Sequence, residues 1–173
     1  MGHSFGGFGA LMAATQSDRF KAVIASASPV GFTTNYLGMD LHAEVHPEDG
    51  LRLNQDYGKY EGGRMGIDVA PWTDPATYVA NSPIYAADRI TAPVLLIHGD
   101  SDSLRLPQAE AMFSALYRLR KDAVLATFFG EGHIIASPAN LRAHYRLIFD
   151  WLGRVMGPPQ DAPKDATEDA PRP

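Results

Sequence analysis

Gly2-His3-Ser4-Phe5-Gly6-Gly7 lies at the start of the chain, and its reading decides the fold. The G-x-S-x-G pattern puts a serine on a sharp turn between a strand and a helix, with its hydroxyl clear of the backbone. Small residues flank the serine because the turn draws neighbouring backbone close to it. The residues that follow agree with this. Residues 7–16 (GFGALMAATQ) read as a small-residue helix leaving the turn, and 22–28 (AVIASAS) as a buried strand. Such a turn needs a strand ahead of it, and three residues precede Ser4. The chain therefore reads as the C-terminal part of a larger catalytic domain, with an unpaired sheet edge expected beside the serine.

Two further apolar runs look like core strands, at 94–98 (VLLIH) and 124–129 (VLATFF). All three runs are short and apolar throughout rather than alternating, which suits parallel strands covered on both faces. Helical patterns lie between them. Residues 107–120 open with a proline at a plausible first helical position and carry Met112, Leu116 and Leu119 on one stripe. Ser137-Pro138 reads as a cap followed by an N1 proline. The helix after it places Leu141, Tyr145, Ile148, Phe149, Leu152, Val155 and Met156 at spacings expected of one buried face. Strand and helix alternating in this order predict an α/β fold, a parallel sheet with right-handed crossovers.

Residues 29–85 break this pattern. They hold Gly50, Gly58, Gly62, Gly63 and Gly66 together with Tyr36, Tyr57, Tyr60 and Trp72. The stretch is expected to be a long excursion of short helices over the C-terminal edge of the sheet, of the kind used as a lid or binding loop. Residues 157–173 (GPPQDAPKDATEDAPRP) have five prolines and no large apolar side chain, so a disordered tail is expected after a domain spanning 1–156.

Bulk properties exclude several classes. The 173 residues suffice for one domain, with 45% apolar and 20% charged residues. A net charge of −5 offers no basic footprint for nucleic acid. No apolar run approaches the ~18 residues of a membrane span. The absence of cysteine removes disulfides, thiolate zinc sites and cysteine nucleophiles, and fits cytoplasm and periplasm equally.

A serine hydroxyl needs a base to take its proton, and the base needs an acid to fix its tautomer and stabilise its charged form. In α/β-hydrolases the chain order is Ser, then Asp or Glu, then His. Leu96-Ile97-His98-Gly99-Asp100-Ser101-Asp102 supplies the acid, at the carboxyl end of a predicted strand where ligand and catalytic groups gather. Asp100 and Asp102 compete, and the H-G-x-x-D spacing favours Asp102 because the turn returns its carboxylate over the sheet edge. Phe129-Gly130-Glu131-Gly132-His133 supplies the base, His133, after another strand and a glycine-rich turn. The Phe5 backbone N–H, assisted by the positive end of its helix, is the expected oxyanion donor. A second donor normally comes from a loop after an earlier strand.

Taken together, Gly2-His3-Ser4-Phe5-Gly6-Gly7, Asn81-Ser82-Pro83-Ile84, the 93–99 run with Asp102, and Glu131-Gly132-His133 resemble the catalytic domain of the prolyl oligopeptidase family of serine peptidases. The likeness runs from about Gly2 to Leu152. Glu61-Gly62-Gly63-Arg64-Met65-Gly66 and Pro71-Trp72 look more like the glutamyl endopeptidase branch. The resemblance implies Ser4 as nucleophile, Asp102 as orienting acid and His133 as base, acting on peptide substrates without metal or organic cofactor. It also implies an N-terminal β-propeller and leading hydrolase strands outside this chain. An esterase of the same fold and a noncatalytic interaction module are the alternatives.

Other polar residues carry weaker signals. Arg64, and Arg105 similarly, could pair with an acidic substrate group or form a loop salt bridge; Trp72 is a second substrate-binding candidate. His42 and His46 sit one helical turn apart but lack the HExxH order and an obvious third metal ligand. His3 is expected to pack near the elbow, and His98 to serve the core.

Overall fold

The computed structural model describes residues 1–38, 57–62 and 65–157. The elements alternate as the sequence predicts: β1 (Gly2–His3), α1 (Phe5–Gln16), β2 (Val23–Ser26), α2 (Phe32–Tyr36), α3 (Tyr57–Glu61), α4 (Pro75–Ala80), a 3-10 helix (Pro83–Arg89), β3 (Val94–Gly99), α5 (Pro107–Arg118), β4 (Ala123–Phe128) and α6 (Pro138–Met156). Among the described residues the sheet has four strands in the order β1-β2-β3-β4, all parallel. This is an α/β fold, with helices on both faces of the sheet.

Side chains alternate across a strand, and each face of this sheet has its own core. Val23, Ala25, Val94 and Leu96 pack with Leu11 of α1 and Met112 and Leu116 of α5. Ile24, Leu95 and Ile97 pack on the opposite face with Ile148 and Trp151 of α6. Covering on both sides is why β2 and β3 are apolar without alternation. β4 differs: it is half-buried along its whole length, because β3 is its one partner among the described strands.

The excursion after β2 builds a third core. Phe32, Tyr36, Tyr60 and Tyr78 are buried together, and their rings meet mostly edge to face. Asp74 caps α4 by accepting the Thr77 N–H at 3.1 Å. Gln108, buried in the first turn of α5, ties this region to the sheet. Its Oε1 accepts the N–H groups of Val30 and Gly31, both at 3.0 Å, and its Nε2 donates to Thr34. Among the described residues no helix is long and apolar enough to cross a membrane. Residues 158–173 of the expected tail lie outside the described residues.

Two apolar faces differ from expectation. α5 ends at Arg118, so Leu119 falls beyond the helix and stands 43% exposed while Met112 and Leu116 are buried. In α6 Ile148 and Trp151 are buried, flanked by half-buried His144, Leu147, Leu152 and Val155; of the expected face Ile148, Leu152 and Val155 point inward as read, while Leu141, Tyr145, Phe149 and Met156 face outward. The two stripes are adjacent and both apolar. Contact with Ile24, Leu95 and Ile97 selects the one centred on Ile148 and Trp151.

Truncating the two neighbours should separate the stripes. Ile148→Ala should lower unfolding free energy by about 2–5 kcal/mol through loss of buried methylenes and the cavity left behind. Phe149→Ala, on a side chain 67% exposed, should change it by about 0.5 kcal/mol or less. Urea titration of the two variants measures both, and equal losses would return Phe149 to the core.

Candidate active site

The site forms where β1, β3 and β4 end. Ser4 follows β1 immediately and adopts φ 57° and ψ −124°, a region that non-glycine residues rarely occupy. Holding a residue there costs on the order of 1–3 kcal/mol, and the surroundings enforce it. The Ser4 N–H donates to Ser26 O at 2.8 Å, and the Ser4 carbonyl accepts from Gly7 and Phe8 to start α1. A Cβ on Gly2 would run into the Gly6 carbonyl, so the turn closes only on glycine. Phe5 is the first residue of α1, where an N–H has no intrahelical acceptor. That N–H follows Ser4 directly in the chain, at the positive end of α1.

The acid candidate sits in the turn after β3. The Asp102 side chain is fully buried, and its Oδ1 accepts the Leu104 N–H at 2.8 Å. His98, the penultimate residue of β3, lies beneath it. Its Nε2 approaches the Leu104 carbonyl at 2.6 Å. A carbonyl can only accept, so Nε2 carries the proton and Nδ1 keeps a lone pair. That Nδ1 is buried without a partner, so a second proton would have nowhere to bond. Burial accordingly pushes the His98 pKa down, against the pull of Asp102. His98 is a neutral strut under the acid's turn.

His133 completes the line. Its Nδ1 lies 3.0 Å from both Asp102 oxygens and its Nε2 2.9 Å from Ser4 Oγ. Two carboxylate oxygens facing Nδ1 place the proton there, leaving the Nε2 lone pair to accept from the serine hydroxyl. The ring keeps 39% of its surface exposed, so a substrate can reach it. His3 donates from Nε2 to the His133 carbonyl at 2.7 Å, with the two rings 4.7 Å apart.

Asp100, the rival acid, turns away from His133. Its carboxylate accepts the Gly130 N–H at 2.6 Å, joining the acid's turn to the base's loop. A Cβ on Gly99 would meet the Glu131 and Gly132 carbonyls, so these two loops pack backbone against backbone. A cavity of about 440 Å³ opens beside Ser4 and His133, walled by Phe5, Tyr60, Met65 and Leu104 among others, with Lys59 on its border. Trp72 is not part of that wall; its ring meets Tyr36 edge-on and is 71% exposed. Arg64, His42 and His46 lie outside the described residues.

Sequence reading missed three polar residues around this site: Gln108, His3 as a partner of the base's backbone, and Glu131. Glu131 offered a signal, since it stands in the Glu131-Gly132-His133 stretch already singled out beside the candidate base. Its carboxylate is buried and accepts from Ala136, Ser137 and Asn140. Those donors hold its pKa down at about 2, with the Ser137 hydroxyl contributing most.

The prolyl oligopeptidase family profile matches residues 1–159, and the chain belongs to that family. It is 25% identical over 159 residues to dipeptidyl peptidase family member 6 of Caenorhabditis elegans, covering 91% of this chain and 20% of that one. The structure resembles acylaminoacyl peptidase of Pyrococcus horikoshii, with a TM-score of 0.73 at 25% identity, covering 93% of this chain and 24% of that one. A Mycobacterium tuberculosis puromycin-hydrolyzing peptidase shares the fold, with a TM-score of 0.73 at 24% identity over 90% of this chain and 21% of that one. The chain thus spans about a fifth to a quarter of the relatives it matches. None of these likenesses selects the glutamyl endopeptidase branch.

The site's titrations set a pH dependence of stability. Burial pushes His98 and His144 below the ordinary value of 6.5, so the unfolded chain binds those protons more readily and stability falls as pH drops below about 6.5. Glu131 is lowered from 4.5 to about 2, so its contribution is complete above 4.5 and lost as pH falls towards 2. The melting temperature should therefore decline in two stages on acidification. Glu131→Gln should flatten the lower stage and leave the upper one in place, and thermal melts across the range would show it. An unaltered lower stage in that variant would place its origin elsewhere.

Proposed function

We propose that this chain carries the reacting centre of a serine peptidase, with Ser4 as nucleophile, His133 as general base and Asp102 as the orienting acid. One observation carries the reading. A buried carboxylate, an imidazole and a strained-turn serine form an unbroken line with gaps of 3.0 and 2.9 Å. Family membership and the peptidase names of the relatives support amide over ester substrates.

In this reading Ser4 Oγ bonds to the carbonyl carbon of the substrate while its proton passes to His133 Nε2. The carbonyl oxygen takes the negative charge and meets the Phe5 N–H at the head of α1. Collapse of the tetrahedral intermediate breaks the C–N bond, and His133 gives the same proton to the departing amine. Water then attacks the acyl-serine and gives a proton to His133, which passes it to Ser4 Oγ as the ester C–O bond breaks and the acid is released. Asp102 stays charged and stabilises the imidazolium at each half-reaction. The cavity beside Ser4 receives a substrate side chain, with Tyr60, Met65 and Phe5 giving it apolar walls and Lys59 a cationic border. Arg64 and Trp72 remain candidates for contacts further along a peptide. The β-propeller and leading strands of the family would supply the second oxyanion donor and control access. Residues 1–156 make the hydrolase unit.

The test pairs chromogenic peptide amides with short-chain esters, alongside labelling by a fluorophosphonate. With the rest of the hydrolase domain present, amide cleavage and labelling are both expected, and Ser4→Ala should abolish labelling and lower kcat by about 10³-fold or more. Cleavage of esters alone would overturn the peptidase reading, and a Ser4→Ala rate near wild type would remove Ser4 from the mechanism.

A further inference from the structure

The base reaches Ser4 from the longest and least regular of the site's loops. His133 follows Gly132, and Gly130 lies just upstream at φ +75°. Glycine removes the side-chain restraint on the backbone, so such a loop has little stiffness of its own. It nevertheless holds the imidazole between two partners at 3.0 and 2.9 Å.

Glu131 is fastened at both ends. Its carbonyl accepts the Ser101 N–H at 3.0 Å, from the turn that carries Asp102. Its carboxylate accepts the Ala136 N–H at 2.8 Å, the Ser137 N–H at 3.2 Å, Asn140 Nδ2 at 2.8 Å and the Ser137 hydroxyl. Residues 136–140 are the entry and first turn of α6, where Ser137 is the N-cap but makes no cap bond with its own side chain. Residues 131–137 therefore close into a loop with the carboxylate as its clasp, and His133 lies inside it.

We infer that Glu131 is a positioning residue for the base: its carboxylate locks residues 131–137 onto the start of α6 and so fixes the His133 ring between Asp102 and Ser4. This rests on the reading of His133 as the base. The chemistry of the clasp demands a carboxylate. Every group aimed at it is a donor, and an ionised carboxylate offers only acceptor sites. An amide would turn an NH2 towards one of those donors. Because the group ionises near 2, the clasp stays closed throughout the range in which an imidazole exchanges protons.

The full chain and its Glu131→Gln and Asn140→Ala variants test this with two readings. The first is the rate at which a fluorophosphonate labels Ser4, together with kcat and KM on a peptide amide. The second is the downfield NMR resonance of the proton shared by His133 Nδ1 and Asp102, read at a temperature where melts show each variant folded. Glu131→Gln should slow labelling and kcat by about 10–100-fold, the scale expected of a misplaced reacting group, with KM little changed. Its resonance should broaden or vanish. Asn140→Ala, which removes one of the donors, should move both readings the same way by less. A folded Glu131→Gln protein with wild-type labelling and an intact resonance would overturn the inference and leave Glu131 as a helix cap only. If that variant does not fold, Asn140→Ala decides by the same two readings. Should the wild-type chain fail to label at all, the reading of this chain as active on its own falls. The resonance still reports whether Glu131 holds the ring.

Discussion

Three parallel ladders set His3, Ser26, Ile97 and Ala126 side by side across the sheet, and the position of every reacting group is counted from that row. Ser4 lies one residue beyond it, Asp102 five and His133 seven. Parallel strands all end on the same side, so three groups far apart in sequence emerge at one edge. A shift of β3 or β4 by one residue would move its group by about 3.3 Å and open a 3.0 Å contact. The register is secured by the cores on either face. Val23, Ala25, Val94 and Leu96 serve one and Ile24, Leu95 and Ile97 the other, so a one-residue slip would exchange the two sets.

The farther a group stands from that row, the more its loop depends on added fastening. Ser4 needs almost none: one backbone bond to Ser26 and a glycine at position 2 leave the turn a single path. Asp102 needs a side-chain brace, provided by its bond to the Leu104 N–H and by neutral His98 under the Leu104 carbonyl. His133 needs the most. Asp100 grips Gly130, Ser101 grips the Glu131 carbonyl, His3 grips the carbonyl of His133 itself, and the Glu131 carboxylate grips α6. This gradient follows from entropy, since each further backbone residue costs about 1–2 kcal/mol to fix.

The legibility of the sequence follows the same gradient. Gly2 to Gly7 states the elbow outright, because local sterics alone require those residues in that order. The strands were legible because burial on both faces leaves only apolar choices. The order Ser4, Asp102, His133 was legible because each follows a strand, although choosing Asp102 over Asp100 took an argument from spacing. The face of α6 was legible only in part, in Ile148, Leu152 and Val155 but not in Trp151. Leu141, Tyr145, Phe149 and Met156 make as good a stripe as the one centred on Ile148 and Trp151, and periodicity cannot choose between adjacent stripes of similar polarity. The work of Gln108, His3 and Glu131 was hidden for a different reason. Gln108 and His3 bind partners whose approach depends on the finished fold, as Gln108 does on Val30 and Gly31 across 78 and 77 residues of sequence, whereas the partners of the Glu131 carboxylate are local and gave no periodic pattern to read.

Glycine and the buried carboxylate at 131 solve one problem from opposite sides. The acid's turn and the base's loop must approach closely enough for Asp102 to reach His133, and at Gly99 they do so with no room for a side chain. Glycine permits that approach but leaves the loops loose. Apolar packing gives the base's loop one anchor, Ile135 against the core of Ile24, Leu95 and Ile97, while Phe129 and Ile134 stand 77% and 71% exposed. Directional polar contacts remain, and a carboxylate collects more donors on one side chain than any neutral group there could. The loop of the base is therefore built from the most flexible residue and the most demanding acceptor together. The first admits the geometry, and the second holds it.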